Sequence, residues 1–236
     1  MRKSNKILLG GFVALVLITI GVHVTLYAKI KNGDLVVLRD GTDEQMERIV
    51  AGNIKHVLIK GMEECRIVTG DSAILEMNKN RNKNFRYRVA GDSLIVEAGL
   101  SDEDYATGRR IYVAATLHLP PVESITASYS NVFLSGVSDT SAAISRNINL
   151  SHCQLHLRNN SRDGKPAFWK DLAINSRSSA LHFAGGAVLN ELVLTMNDNS
   201  VLTDEGAMVS NFQLQMDGSS SVNLHGAMLD KLKLIK

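Results

Sequence analysis

Hydrophobic and polar residues in the C-terminal part of the chain recur with a fixed spacing. A pattern of Gly-Ala, two apolar residues, two mostly polar residues and an apolar-x-apolar pair begins at Gly186, Gly206 and Gly226. Within each copy the apolar residues alternate with the period of a β-strand, and no helical stripe runs through the segment. A repeat of about 20 residues with short strands and glycine bends is typical of one coil of a β-solenoid.

Further alternating pairs extend the repeat toward the N-terminus. One set of inward pairs is Val132/Leu134, Leu155/Leu157, Leu181/Phe183, Val201/Thr203 and Val222/Leu224. A second set is Ile125/Ala127, Ile148/Leu150, Leu172/Ile174, Leu192/Leu194, Phe212/Leu214 and Leu232/Leu234. Coils stacked about 4.8 Å apart would line a core with these side chains. Small or polar residues at a tight bend precede the first set and predict a ladder of Ser130, Cys153, Ser179, Asn199 and Ser220.

Shorter strands are predicted ahead of the regular coils. Alternating apolar residues indicate strands at residues 57–59, 65–67, 74–77, 85–89, 94–96 and 110–119. The polar run 78–84 predicts a hairpin-like loop, since no aromatic residue is interleaved for nucleic-acid stacking. Thr42 and Gln45 have capping-box spacing, so residues 43–50 are either two helical turns or a polar linker. The polar segment 159–170 is expected to be a loop inserted between two coils.

The N-terminal segment has the pattern of a membrane anchor. Residues 1–6 contain three basic side chains, and the following residues 7–27 contain no Asp, Glu, Lys or Arg. About 20 apolar residues span a hydrocarbon core, whereas the apolar region of a cleaved signal peptide usually has about 7 to 15 residues. We therefore expect a retained transmembrane anchor over residues 7–28, with a cleaved signal peptide as the alternative. The basic flank favours a cytoplasmic tail at residues 1–6. A juxtamembrane linker at 29–52 then leads to a β domain at 53–236, in the periplasm or outside the cell.

The order of motifs along the chain resembles a known family. The motifs are Val57-x-Ile59-x-Gly61, Cys65-x-Ile67, Tyr87-x-Val89, Gly91-x-x-Leu94-x-Val96, Leu119-Pro120 and serine-rich coils that end in Gly136, Gly185 and Gly226. Together they resemble the auto-transporter adhesin, head GIN domain family, a domain of unknown function in envelope proteins of the Bacteroidetes. The resemblance implies a right-handed single-stranded parallel β-helix outside the cytoplasm. It brings no catalytic or binding residues to this chain. His152-Cys153, Asn199 and the 159–170 insertion depart from the family pattern.

Composition narrows the class of protein. The chain has 236 residues, a formal net charge of +2, three prolines and two cysteines. Ordinary apolar content and low net charge exclude a disordered chain, and no basic cluster indicates nucleic-acid binding. We expect Cys65 and Cys153 to be buried thiols, with Cys153 in place of a ladder serine; a disulfide is the alternative.

Two histidines are the first candidates for chemistry. His156 and His182 each lie between inward residues of their coils, so both should point outward and stack on each other. With His152 nearby they could form a transition-metal site. The expected neighbours in that column, Phe133, Leu202 and Asn223, are poor ligands or none, so an ordinary solvent-facing ladder is favoured. Since no nucleophile elbow, phosphate loop, dinucleotide fingerprint or zinc-type cysteine pair is present, we predict no catalytic, cofactor or metal residues.

Acidic residues are sparse in the regular coils. They are Asp163, Asp171, Glu191, Asp198, Asp204, Glu205, Asp217 and Asp230. Asp198 and Asp217 hold similar positions in successive coils, although turn formation explains both. We predict a non-enzymatic, adhesin-like or scaffold module that binds an envelope protein or a glycan. A glycan-active lyase or hydrolase is the alternative, and a regulatory protein coupled to the cytoplasmic tail is the third hypothesis.

Lysines flank the end of the last predicted coil. Lys231, Lys233 and Lys236 alternate with Leu232, Leu234 and Ile235. Charged residues at an exposed strand edge discourage unwanted pairing, and they could equally mark an end that docks a partner.

Overall fold

The computed structural model describes residues 53–78, 85–98, 113–140, 145–158 and 165–235, the backbone of Glu44–Arg48, and six residues near the N-terminus. The chain divides into two compact units, Met1–Leu38 and Arg39–Lys236. In the first unit the described residues are helical, and the Thr19 hydroxyl donates to the Leu15 carbonyl at 2.9 Å. The remainder of the predicted anchor lies outside the described residues. Among the helical residues that are described, none belongs to a helix with the length and apolar content that crossing a bilayer requires.

The second unit is built from β-strands. In its N-terminal part these are β1 Glu44–Arg48, β2 His56–Lys60, β3 Glu64–Thr69, β4 Ile74–Asn78, β5 Phe85–Ala90, β6 Ser93–Ala98 and β7 Ala114–Leu119. The coils follow as β8 Ser124–Ser128, β9 Asn131–Ser135, β10 Arg146–Ser151, β11 Gln154–Arg158, β12 Ala167–Arg177, β13 Ala180–Phe183, β14 Ala187–Asn197, β15 Val201–Asp204, β16 Met208–Met216, β17 Ser221–Asn223 and β18 Leu232–Leu234. A 3-10 helix, Gly226–Lys231, joins the last two strands.

The described strands form two nine-stranded sheets. Sheet A has the order β1-β4-β7-β3-β9-β11-β13-β15-β17, and sheet B has the order β18-β16-β14-β12-β10-β8-β2-β6-β5. From β8 onward the chain alternates between the sheets, and each strand pairs in parallel with its equivalent in the next coil. The predicted β-solenoid is therefore confirmed, with about four turns.

The N-terminal coils are stacked in a different order from the chain. β2 and β3 lie between the β6/β7 coil and the β8/β9 coil, so the chain passes back over its first coil after β7. Antiparallel strands close this end, with β5 on β6, β4 on β7 and β1 on β4. Both predictions for residues 43–50, two helical turns or a polar linker, are wrong for Glu44–Arg48, because its backbone pairs along β4 as a strand. The hairpin-like connection is also wrong, because β4 and β5 lie in different sheets.

Inward side chains form continuous apolar columns between the sheets. One column of sheet B is Leu94, Val57, Ile125, Ile148, Ile174, Leu194, Leu214 and Leu234. One column of sheet A is Ala115, Cys65, Val132, Leu155, Leu181, Leu202 and Val222. Almost every member away from the last coil is buried. The apolar pairs predicted from the repeat therefore form the core, apart from two shifts in register.

The first shift moves the fourth inward pair by one residue. Leu202 and Asp204 face the core opposite Leu181 and Phe183, whereas Val201 is 41% exposed. The ladder residue is accordingly Ser200, not Asn199, and its hydroxyl accepts the Ser179 N–H at 3.3 Å. The physical reason is the bend before β15, where Asp198 and Asn199 both adopt positive φ and lengthen the turn. Other bends hold one such residue, as at Tyr129, His152 and Ser178.

The second shift lies between β10 and β12. Ile148 is opposite Ile174, and Arg146 rather than Ile148 is opposite Leu172. The slip is two residues long, so the inward face is preserved. The predicted loop at 159–170 is also shorter than expected at its C-terminal end, since β12 begins at Ala167. Trp169 is buried there, and a side chain at Gly136 would come within 2.9 Å of its ring.

Both cysteines are buried free thiols, as predicted. Cys65 lies in the sheet A column, and burial raises its pKa to about 12. Cys153 occupies a ladder position, where its thiol donates to the Ser151 carbonyl at 3.2 Å. Its backbone N–H donates to the Ser179 hydroxyl at 3.0 Å. Cys153 therefore occupies the position of a ladder serine and makes the same side-chain hydrogen bond to the carbonyl two residues earlier.

Arg146 is a charged residue on the inward face of sheet B. The residue is 4% exposed, and its Nη2 donates to the Thr69 hydroxyl at 2.9 Å. Its Nε has no hydrogen-bond partner among the described residues. Burial lowers the pKa of this guanidinium to about 10, because desolvation disfavours the charged form.

We predict that Arg146→Met stabilises the protein. An apolar side chain of similar length would keep the packing and remove the incompletely satisfied buried charge, which should raise the free energy of unfolding by about 1–4 kcal/mol. Arg146→Ala is the matched control, because it removes the charge and also leaves a cavity. Chemical denaturation of the three proteins measures both effects. A less stable Met variant would contradict this prediction.

Candidate functional site: a column of stacked rings

An outward column on sheet A brings three rings together. Phe133 on β9 is opposite His156 on β11, which is opposite His182 on β13. The ring centroids of Phe133 and His156 are 4.6 Å apart, and those of His156 and His182 are 4.7 Å apart. The interplanar angles are 11° and 10°, so the rings stack nearly parallel. The predicted outward histidine pair is therefore present in the fold.

The column follows directly from parallel, in-register coils. Outward residues at equivalent positions repeat at the strand spacing of about 4.8 Å, which suits stacked rings. All three rings are half-buried by their neighbours. The Arg158 guanidinium lies over the Phe133 ring, 4.3 Å from its centroid, in a cation–π arrangement. We call Phe133, His156, His182 and Arg158 the ring column.

Polar residues continue the line on both sides of the rings. Arg66 is opposite Phe133, and its Nε donates to the Glu64 carboxylate at 2.6 Å. Beyond His182 the outward residues are Thr203 and Asn223. The prediction that Leu202 lies in this outward column is therefore wrong, because the register shift turns Leu202 inward. The result is a half-buried strip of rings bordered by hydrogen-bonding groups.

The electrostatics of the ring column favour the neutral imidazole of His156. Burial lowers the pKa of His156 to about 4, with further lowering by His182 and Arg158. At neutral pH His156 is therefore uncharged, and one ring nitrogen donates a hydrogen bond while the other accepts one. Stacked rings of this kind can contact an apolar surface and a polar group at once.

The third histidine lies apart from the column. His152 adopts φ 56° at the bend before β11 and stacks on Tyr129 at 5.0 Å. Its Nδ1 is 3.1 Å from the Ser151 hydroxyl. Within the described part of the chain no group of three or more histidine, cysteine or acidic side chains is placed to hold a metal. The structure does not join the three histidines in one ligand set.

The two aspartates considered for catalysis organise a bend. Asp217 Oδ1 accepts the hydroxyl of Ser220 at 2.7 Å and that of Ser219 at 2.9 Å. Its Oδ2 accepts the backbone N–H of Asp198 at 2.8 Å. These hydrogen bonds, led by that of Ser220, hold the pKa of Asp217 below its usual range. Asp198 pairs instead with Arg177 at 2.5 Å, so the two carboxylates serve separate turn contacts.

A second pair of carboxylates lies on the outer face of sheet B. Asp171 is opposite Glu191 beside a groove of about 450 Å³. Asp171 accepts the Asn190 amide at 3.0 Å and the Ser145 hydroxyl at 2.9 Å, which lower its pKa. Glu191 Oε1 accepts the amides of Asn211 and Gln213, each at 3.3 Å. Glycosidic cleavage usually needs one carboxyl with a raised pKa, and Asp171 is tuned in the opposite direction.

Sequence reasoning missed the structural importance of Asp204. Its carboxylate is fully buried at the end of an apolar column, opposite Phe183. Oδ1 accepts the N–H groups of Gly206 and Ala207 at 3.0 and 2.7 Å, and Oδ2 accepts that of His225 at 3.1 Å. The signal for its position was the serine ladder itself, because choosing Ser200 places Leu202 and Asp204 inward. Asp163, also named as a candidate, lies outside the described residues.

Comparisons with known proteins give distant likenesses only. No family model and no curated protein matches the chain. One similar solved structure is a "putative adhesin" from Parabacteroides merdae, 11% identical, covering 84% of this chain and 95% of that chain, with a TM-score of 0.32. Another, from Parabacteroides distasonis, is a "putative lipid binding protein", 8% identical, with coverages of 84% and 98% and a TM-score of 0.31. At these values the likeness carries no argument.

We predict that acid destabilises the fold partly through His156. Between about pH 6.5 and pH 4 the unfolded histidine binds a proton that the folded one does not, so stability falls as pH falls. Replacing His156 with Phe should keep the stack and flatten this part of the curve. Melting temperatures measured across the window test the idea. Parallel decline of wild type and variant would show that His156 does not contribute.

Proposed function

We propose that this chain is a non-enzymatic, adhesin-like interaction module of the cell envelope that binds a protein or glycan ligand on the outer face of sheet A. The observation that carries the proposal is the ring column, a half-exposed stack of three rings with a guanidinium over one end. Aromatic rings and arginine are enriched at the centres of binding interfaces, because they offer a large contact area with few rotatable bonds.

The surroundings of the ring column support binding rather than catalysis. The rings project from strands that are paired on both sides, so their positions are fixed by the backbone ladder. Arg66, Thr203 and Asn223 supply hydrogen-bonding groups along the same line. By contrast, the described acidic pairs are occupied by hydroxyl, amide and guanidinium partners.

The location and family belong to the same proposal. Residues 7–28 would anchor the chain in the inner membrane, residues 1–6 would lie in the cytoplasm, and the segment between the anchor and β1 would place the β domain outside. The order of motifs over residues 53–236 supports membership of the head GIN domain family, with a right-handed coil. A tethered solenoid would present its outer faces to ligands at the membrane surface.

The test compares two outer faces of the full-length chain. In the test variant, Phe133 and His182 become Thr, which keeps strand propensity and removes the outer rings of the stack. In the control, Asn149 and Asn175, which are hydrogen-bonded to each other at 3.0 Å on sheet B, become Thr. A glycan array and crosslinking in isolated envelopes identify the ligand. We expect the test variant to lose at least about tenfold in affinity and the control to bind normally.

Two results would overturn the proposal. One is loss of binding in the sheet B control while the ring-column variant binds normally. The other is release of new reducing ends from an array glycan, lost when Asp171 becomes Asn or Glu191 becomes Gln. That second result would favour a glycan-active enzyme working at the groove on sheet B.

A further inference from the structure

The two ends of the solenoid are finished differently. At the N-terminal end antiparallel strands cover the core, and Leu75, Leu94 and Leu117 are fully buried. At the other end Met228 of the 3-10 helix is buried, whereas the apolar residues of β18 are partly or fully exposed. Leu229 is 59% exposed and Leu234 is 70% exposed. Apolar surface of this kind, beside an open sheet edge, is typical of a contact site.

The edge of sheet B also offers backbone hydrogen-bonding groups. β18 is the last strand of its sheet and pairs with β16 on one side only. The N–H of Ile235 donates to the Leu214 carbonyl at 2.8 Å, so backbone alternation points the N–H of Leu234 toward the free side. Among the described residues no strand lies on that side. An extended segment could therefore continue the sheet.

Charges on the edge decide what kind of segment fits. Lys233 is outward on β18, in line with Val193 and Gln213, and Lys231 is exposed beside it. A two-fold pairing of β18 with a second copy about Lys233 would place two lysines opposite each other. Head-to-tail stacking would bring Lys233 toward β5, the opposite edge of sheet B, where Arg86 and Arg88 are exposed. Like charges directly opposite destabilise strand pairing, so both self-associations are disfavoured.

We infer that the C-terminal end of the solenoid accepts an extended segment of another protein, in which apolar and acidic residues alternate, as an additional strand beside β18. Backbone hydrogen bonds to the free edge would supply the affinity that strand addition uses. The apolar residues would cover Leu232 and Leu234, and the carboxylates would contact Lys233 and Lys231. This surface is separate from the ring column, so either can fail without the other.

The probe is a short synthetic peptide in which leucine and glutamate alternate. Its binding to the full-length chain is measured by fluorescence anisotropy. A peptide that alternates leucine and lysine is the charge control. We expect the acidic peptide to bind and to protect the amides of Leu232–Leu234 from hydrogen exchange. Lys233→Glu should lower the affinity for the acidic peptide by about tenfold, because the charge attraction becomes repulsion. The same change should raise the affinity for the basic peptide.

Two further variants separate the edge from general charge. Lys170→Glu makes the same charge change on β12, away from the edge, and should leave binding unchanged. Leu234→Pro removes the free N–H and should abolish binding. Equal losses in the Lys170 and Lys233 variants would overturn the inference. So would binding that survives Leu234→Pro, or concentration-dependent dimers in light scattering that Leu234→Pro dissociates.

Discussion

The structure depends on the in-register hydrogen bonding of each coil to the next. From Cys153 onward, the residue after each ladder position donates its N–H to the carbonyl of the ladder residue in the preceding coil. Gln154 donates to Ser130, Ala180 to Cys153, Val201 to Ser179 and Ser221 to Ser200, at 2.9 to 3.0 Å. This shared connection fixes which residues of successive coils are opposite each other. A slip of one residue would turn an entire apolar column toward solvent.

The same register decides what the outer faces contain. Phe133, His156 and His182 stack because their inward neighbours are aligned, and Asp171 meets Glu191 for the same reason. Asp171 and Glu191 each accept two side-chain hydrogen bonds on this face. Asp217 and Asp204 satisfy backbone N–H groups at bends, where the chain must turn without a sheet partner. Asp204 and Asp217 thus serve as turn contacts, whereas the rings of Phe133, His156 and His182 form a half-buried stack on the outer face of sheet A.

The terminal coils of a solenoid expose core side chains and unpaired backbone groups unless other elements cover them. Here the N-terminal end is closed by β1, β4 and β5, which pair antiparallel with their neighbours, and the chain crosses its first coil only later, after β7. The C-terminal end has two three-residue strands and a 3-10 helix. Short strands and lysines protect an edge from nonspecific pairing, and they also restrict which partner can extend it.

The sequence by itself determined the solenoid, because a strand-period pattern repeated every twenty-odd residues can bury its apolar side only by stacking. It also predicted the outward histidines, the buried thiols and the ladder at Ser130, Cys153, Ser179 and Ser220. Only the tertiary structure decided the register around Ser200, the inward place of Arg146 and the sheet assignments of β1, β4 and β5. Bend length and strand partner are set by contacts between distant segments. The alternation of apolar and polar residues predicts which side chains share a face of a strand. It does not predict which strand will pair with it or in which register.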